Sequence, residues 1–313
     1  MNGKLASGLS LTRLVKKETH QLNPILITVY KFNIYYTINM ETMSFTTHSS
    51  PSRRLKTLQR HLCATSRPAE TTLGCVLIPS DFVMRDEAPP LIARFHNVKM
   101  KYHVVELDSE DIIASTYMRA YQKGALNMAA AALVADSPMC DIVGLSCTSF
   151  SFSVGISNVR NEFLKGAPML KNTTDMATAQ IDGIRAVGGK KAKVALLTPY
   201  IEEVSVANAV MLENAGFQVV ARLTMNLSQD KLTSRVLPND IALWAQRVNS
   251  DDADVVVIGC SAFRACQPNF LDELETKLGK PVVTSTQAFL WSMLRGSGRS
   301  EKINGYGKLF SAC

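Results

Sequence analysis

No apolar run in the 313-residue sequence reaches the roughly 18 residues that a membrane-spanning helix needs, so no membrane partner is expected. Histidine is scarce. Of five in all, His20, His48 and His61 fall within the first 70 residues, which leaves only His96 and His103 for the body and disfavours a histidine-rich metal centre. The seven cysteines (Cys63, Cys75, Cys140, Cys147, Cys260, Cys266 and Cys313) are odd in number and scattered, without the spacing of a disulfide framework or a zinc site. That usage points to a reducing compartment, and so to the cytoplasm. The body also lacks a basic stripe. Residues 1–70 hold ten Lys or Arg against three acids and carry the whole formal charge of +7, while the remainder balances at 24 of each. A neutral body has no electrostatic footprint for a phosphate backbone, so nucleic acid is not an expected partner.

Several signatures of cofactor and hydrolase chemistry are missing as well. No Gly-x-Gly-x-x-Gly follows the first strand of either half, which leaves a nicotinamide or flavin cofactor unsupported. Gly183-Ile-Arg-Ala-Val-Gly-Gly-Lys190 approaches a phosphate loop, but its lysine comes one place late and the stretch precedes a strand. Neither His96 nor His103 accompanies a Gly-x-Ser-x-Gly elbow, which disfavours a serine hydrolase. The expectation is an enzyme with no cofactor and no metal.

What is present falls into three parts. Residues 1–70 are rich in Ser, Thr, Lys and Arg, as in Ser44-Phe-Thr-Thr-His-Ser-Ser-Pro-Ser-Arg-Arg54. This composition fits a disordered tail, an organelle transit peptide that would relocate the protein, or a reading frame begun upstream of Met40 or Met43. From Leu73 onward short β-branched runs alternate with helical stretches, the pattern of a parallel sheet covered on both faces. Strands are expected at 74–78, 103–106, 141–145, 194–197, 218–221, 255–258 and 281–284. Helices are expected at 111–133, 174–187, 203–215, 238–248, 270–278 and 287–294.

The two halves repeat each other. Asp141-Ile-Val-Gly-Leu-Ser-Cys147-Thr-Ser-Phe150 matches Asp254-Val-Val-Val-Ile-Gly-Cys260-Ser-Ala-Phe263, and a proline follows 21 residues after each cysteine, at Pro168 and Pro281. Upstream, Leu77-Ile-Pro79 parallels Leu197-Thr-Pro199, and Tyr102-His-Val-Val105 parallels Phe217-Gln-Val-Val220. The fold class is therefore α/β, with two similar Rossmann-like units related by a pseudo-twofold and an active site in the cleft between them. One unit spans 71–190 and carries Cys147; the other spans 191–313 and carries Cys260, its C-terminal segment packing back on the first.

Each cysteine closes a buried strand, the edge at which open α/β sheets bind ligands. One cysteine there reads most simply as a small buried hydrophobe. Two at equivalent points of a duplicated fold read as a pair facing each other across a cleft. If a helix starts just after each, its free N–H groups and dipole should lower the thiol pKa below about 8.5. Opposed thiols suit removal of a proton from one face of a carbon and delivery to the other. They equally suit addition of one thiolate to an activated double bond, rotation and elimination. Both reactions build charge on a carboxylate, for which Thr148, Ser149, Ser261, Ala262 and the backbone N–H groups after each cysteine are candidate donors.

The segment Leu196-Leu-Thr-Pro-Tyr-Ile-Glu-Glu-Val204 resembles one shared by maleate cis-trans isomerases and arylmalonate decarboxylases, within the aspartate/glutamate racemase superfamily. Ile78-Pro-Ser80, Ser146-Cys-Thr-Ser149, Ile258-Gly-Cys-Ser261 and Val283-Thr-Ser-Thr-Gln-Ala-Phe-Leu-Trp291 extend the likeness over about residues 73–310. The resemblance implies that Cys147 and Cys260 are the catalytic cysteines and that the Tyr200 hydroxyl holds a substrate carboxylate. Thr148-Ser-Phe-Ser-Phe152 resembles the carboxylate-holding loop of the decarboxylases. Those enzymes have glycine in place of Cys147, which favours isomerase or racemase chemistry here. Maleate isomerases have asparagine where this chain has Asp81 and Asp230, and the resemblance places both at the substrate. The expected function is a two-cysteine isomerase or racemase of a small dicarboxylate or acidic amino acid. The alternatives are an arylmalonate-type decarboxylase and, in another class, a carboxylate-binding protein without turnover. A homodimer or higher homo-oligomer is the expected assembly.

Overall fold

A computed structural model describes residues 70–109, 113–135 and 139–312. The basic extension expected over 1–70 lies, apart from Glu70, outside these residues.

Among the described residues, eight strands form two parallel sheets of four. The first holds β1 (Thr71–Leu77), β2 (Val98–Val104), β3 (Ile142–Leu145) and β4 (Asn172–Asp175), in the order β2-β1-β3-β4. The second holds β5 (Lys193–Thr198), β6 (Gln218–Thr224), β7 (Val255–Ile258) and β8 (Val282–Thr284), in the matching order β6-β5-β7-β8. The inner strands β1, β3 and β7 are buried at every residue, as expected of continuous apolar runs between two helical layers. β2, an edge strand, has no fully buried residue; its alternation of half-buried and exposed positions slips at Lys101, leaving Tyr102 and Val104 exposed.

The helices of the first half are α1 (Phe82–Ile92), α2 (Ala114–Gln122), α3 (Ala125–Ala135), α4 (Thr148–Val154), α5 (Ile156–Gly166) and α6 (Met176–Gly188). Those of the second are α7 (Glu202–Asn214), α8 (Asp230–Thr233), α9 (Pro238–Val248), α10 (Phe270–Leu278), α11 (Ser285–Gly296) and α12 (Gly307–Ala312). The single helix expected at 111–133 is two, α2 and α3, separated at Gly124, whose φ of +75° breaks the helix.

Two helices cross between the halves. α6 follows the first sheet but packs on the second: a Cβ added at Gly188 would lie 2.4 Å from Val255 Cγ2. α11 follows the second sheet but packs on the first, where a Cβ at Gly144 would lie 2.6 Å from Met293 Sδ and one at Gly296 would lie 2.4 Å from Ile142 Cδ1. Glycine at these points permits the close approach. Asn172 Nδ2 donates to Gly296 O at 2.7 Å, and Thr174 Oγ1 lies 2.8 Å from Ser292 Oγ, fixing α11 to β4. Each of the two hydrophobic clusters draws residues from both halves. Pulling the halves apart would expose both cores.

Strand registers align the duplication residue by residue. Leu145 pairs with Val76 and Asp175, while Ile258 pairs with Leu197 and Thr284. Leu145 and Ile258 are therefore equivalent, and so are Cys147 and Cys260, two residues on. The same registers equate Val76 with Leu197, so the sequence match of Leu77-Ile-Pro79 with Leu197-Thr-Pro199 slips by one residue. Cys75 and Leu196, equivalent by their pairing to Gly144 and Val257, meet Tyr102 and Arg222, so the match of Tyr102 with Phe217 slips by five. Leucine, valine and proline recur too often for short apolar matches to fix a register.

Candidate active site

Cys147 follows the buried run of β3 and is the N-cap of α4 in extended conformation (φ −154°). Its sulfur accepts the Phe150 N–H at 3.5 Å and lies 3.5 Å from Ser149 Oγ. Ser149 Oγ donates to the Tyr117 hydroxyl at 3.0 Å, and the Tyr117 ring stacks on Phe150 with centroids 5.0 Å apart. Thr148 Oγ1 donates to Ser285 Oγ at 2.9 Å.

The lowered thiol pKa expected from the helix does not emerge. Burial, followed by the charge of Asp230, pushes Cys147 up to about 12, and the Ser149 and Phe150 hydrogen bonds only partly oppose this. Desolvation outweighs the few N–H groups of a seven-residue helix.

Cys260 differs in its backbone. The condition of a helix just after each cysteine is not met here; the chain turns through Ser261–Arg264 instead. Its φ of +109° is unusual for a non-glycine residue and costs about 1–3 kcal/mol. The backbone N–H donates to Ser285 Oγ at 3.0 Å, and Ala262 N–H reaches the sulfur at 3.4 Å. Gly259 before it has no room for a side chain, since a Cβ would lie 2.7 Å from Asn208 Oδ1. Burial and then Asp230 push the Cys260 thiol up, while hydrogen bonds from Ala262 and Tyr200 pull it down.

Two carboxylates stand beside the thiols. Asp230 opens α8 and is 6% exposed; its Oδ2 accepts from Ser80 Oγ at 2.6 Å, and its Oδ1 lies 3.9 Å from the Cys260 thiol. Asp81 caps α1 by accepting Met84 N–H at 3.2 Å and accepts from Ser146 Oγ at 2.7 Å. Ser261 also hydrogen bonds to it. Burial, reinforced by the Asp230 charge, pushes Asp81 up to about 7, and burial raises Asp230 too. Tyr200 is buried against Cys260, both thiols raise its pKa after burial, and the Thr224 hydroxyl holds its carbonyl. The structure thus brings Asp81, Cys147, Thr148, Ser149, Tyr200, Asp230, Cys260, Ser261 and Ala262 to one place.

Ser80, Tyr117, Ser146 and Ser285 are additional members. Ser80, Ser146 and Ser285 lie inside segments that already resemble the family, so proximity to those motifs was a signal. Tyr117 sits on α2 with no motif around it.

A cavity of about 490 Å³ opens beside this cluster, lined by Ile78, Ser80, Leu107, Tyr117, Asp230 and Lys231 among others. Asp230 connects its wall to Cys260, and Tyr117 connects it through Ser149 to Cys147. A larger groove of about 900 Å³ runs beside α4, α6 and α7; neither cavity is lined by a cysteine, but the groove also lacks Ser80, Tyr117 and Asp230, the residues that connect the smaller one to the thiols. The smaller cavity is the one adjacent to reactive groups. Among the described residues no three His, Cys, Asp or Glu side chains are arranged to hold a metal ion, and no helix is long and apolar enough to cross a membrane.

The sequence profile of the arylmalonate decarboxylase family matches residues 98–310. Arylmalonate decarboxylase of Bordetella bronchiseptica is 29% identical over 174 residues, covering 54% of this chain and 70% of that protein. Maleate isomerase of Nocardia farcinica is 22% identical over 244 residues, covering 76% and 94%. Among solved structures, a cysteine-to-alanine variant of the maleate isomerase of Pseudomonas putida S16 with maleate superposes with a TM-score of 0.67 at 22% identity, over 78% of this chain and 98% of that one.

Proposed function

Because the chain belongs to the arylmalonate decarboxylase family, we propose that it is an isomerase or racemase of a small carboxylate, working through Cys147 and Cys260. The observation that carries this reading is the equivalence of the two cysteines: both follow inner strands of matching sheets by two residues, and both are under the charge of the same Asp230. A decarboxylase needs a proton delivered to one face only. A second thiol supplies the opposite face.

The resting thiols are neutral, held so by burial. One acts as the acid that protonates carbon. The other must first give up its proton to the solvent to act as base or nucleophile. Tyr200 stabilises the sulfur through its hydrogen bond. The substrate carboxylate is held by Thr148, Ser149 and the N–H groups that follow each cysteine, with the two hydroxyls turning from Ser285 and Tyr117 to reach it. A cysteine-to-serine mutant of the Nocardia farcinica maleate isomerase carries a covalently bound succinylcysteine intermediate, which supports the addition–rotation–elimination form of the reaction for a related fold.

The test is a substrate panel of maleate, the enantiomers of aspartate and glutamate, and an arylmalonate, with products followed by chiral chromatography. Isomerisation or racemisation is expected. Decarboxylation alone would overturn the reading.

A further inference from the structure

The two buried carboxylates bear on what the site accepts. Asp81 and Asp230 are 2% and 6% exposed, each raised by burial, and close enough for the Asp230 charge to raise Asp81 further. Their surroundings are neutral donors: Ser146, Ser261 and the Met84 N–H for Asp81, and Ser80 and the Cys260 thiol for Asp230. The two are not equivalent towards a ligand. Asp81 is engaged on both oxygens, one by Met84 N–H and one by Ser146. Asp230 lines the cavity of about 490 Å³, and its Oδ1 has a thiol at 3.9 Å as its contact, a long approach to a weak donor. A buried carboxylate that lines a cavity next to the reacting sulfur is a poor neighbour for an incoming anion and a good one for a cation.

We propose that Asp230 is a specificity-determining residue that binds the ammonium group of the substrate, so that the site takes an amino acid whose carboxylate faces the Thr148–Ser149 side. The inference rests on the reading of the site as a two-cysteine isomerase or racemase and narrows its substrate class. Bringing an ammonium to Oδ1 replaces the thiol contact with a charge-assisted hydrogen bond, about twice as strong as a neutral one. A second substrate carboxylate at that point would instead add a buried negative charge beside Asp230.

The experiment measures binding apart from turnover, by calorimetry, with two ligand pairs that differ only in the ammonium: aspartate against succinate, and 2-phenylglycine against phenylacetate. In the wild type the amino compound of at least one pair is expected to bind about tenfold or more tightly, which is about 1.4 kcal/mol. Asp230→Asn should erase that preference. Equal or tighter binding of both deaminated partners, an unchanged ratio in Asp230→Asn, or no binding by any of the four would overturn the proposal.

Should Asp230→Asn fail to fold, the wild-type ratio is followed from about pH 8 down to about pH 4, where an amino group stays charged. The preference should fall as Asp230 gains its proton. Asp81, Asp108, Cys147, Cys260, Tyr117, Tyr200 and Lys231 also face this region; the Arg119 hydrogen bond holds Asp108 below the usual carboxylate range, which leaves Asp81 to titrate alongside Asp230, and Asp81→Asn should leave the fall in place. A flat ratio would overturn the proposal. An amine preference without isomerisation or racemisation would sink the reading of the reaction and leave this inference standing. Turnover of maleate with no amine preference would do the reverse.

Discussion

The Thr148 hydroxyl donates to Ser285 Oγ at 2.9 Å, joining the first residue of α4 to the first residue of α11. The same Ser285 oxygen accepts the Cys260 N–H at 3.0 Å and faces Gln180 Nε2 at 3.4 Å. Ser285 therefore ties together the segments that carry both thiols. Thr284, just before it, is locked by a reciprocal capping box with Gln287, so the hydroxyl is delivered from a rigid helix start.

Ser285→Ala should leave the Cys260 N–H unpaired and Thr148 free to rotate. Stability should fall by about 1–3 kcal/mol and kcat by about ten- to a hundredfold, the cost of a misplaced reacting group. KM should change less than kcat. A KM effect alone, with kcat intact, would show that Ser285 has no role in aligning the thiols.

The Cys147 thiol, pushed up to about 12 by burial and the Asp230 charge, should resist alkylation in the ligand-free protein at neutral pH. Iodoacetamide labelling read by peptide mass spectrometry should be slow near pH 7 and accelerate steadily into the alkaline range, since the thiolate is the nucleophile. Rapid labelling at neutral pH, with the fold intact, would contradict the neutral-thiol resting state.

Glu87 offers a pH effect outside the cluster. It is 4% exposed, accepts the Cys266 N–H at 3.0 Å, and is pushed by burial from 4.5 up to about 8. The native state thus holds this proton more tightly than the unfolded chain. Its contribution to stability is full below about 4.5 and is lost as pH rises towards about 8. Each tenfold difference in proton affinity between the folded and unfolded chain is worth about 1.4 kcal/mol. Glu87→Gln cannot ionise, so its urea-unfolding free energy should fall a few kcal/mol less than that of the wild type between about pH 5 and about pH 9. Parallel pH dependences in the two proteins would refute this.

Much of the fold was legible because its inner strands are continuous apolar runs; β7, α9 and α10 fall at the expected bounds. β4 was not legible, since Asn-Thr-Thr-Asp has no apolar signal and becomes a strand only by pairing with β3. α1 was hidden by Pro89 and Pro90 inside it, and α4 by a Ser/Phe-rich sequence of low helix propensity. At the site, the cysteines were readable from the duplication, and Tyr200 from its motif. Tyr117 was not, because only tertiary packing brings α2 against α4. The sign of the thiol pKa was misjudged for a related reason: a helix after a strand-end cysteine can be supposed from the sequence, whereas desolvation depends on everything packed around the sulfur.

The central claim is that two thiols serve opposite faces of one carbon. Proton NMR in deuterated water, run on the same carboxylate panel with the wild type and with Cys147→Ser and Cys260→Ser, tests it most directly. The wild type should isomerise maleate, or invert an amino acid while exchanging its α-proton for deuterium. Each single substitution should slow that by at least about a hundredfold, the low end for acid–base catalysis. Cys75→Ala, Cys140→Ala and Cys266→Ala, none of them at the strand ends that carry the thiol pair, should retain turnover. Full activity in Cys147→Ser, with loss confined to Cys260→Ser and carbon dioxide released from an arylmalonate, would contradict the account and make the protein a one-thiol decarboxylase.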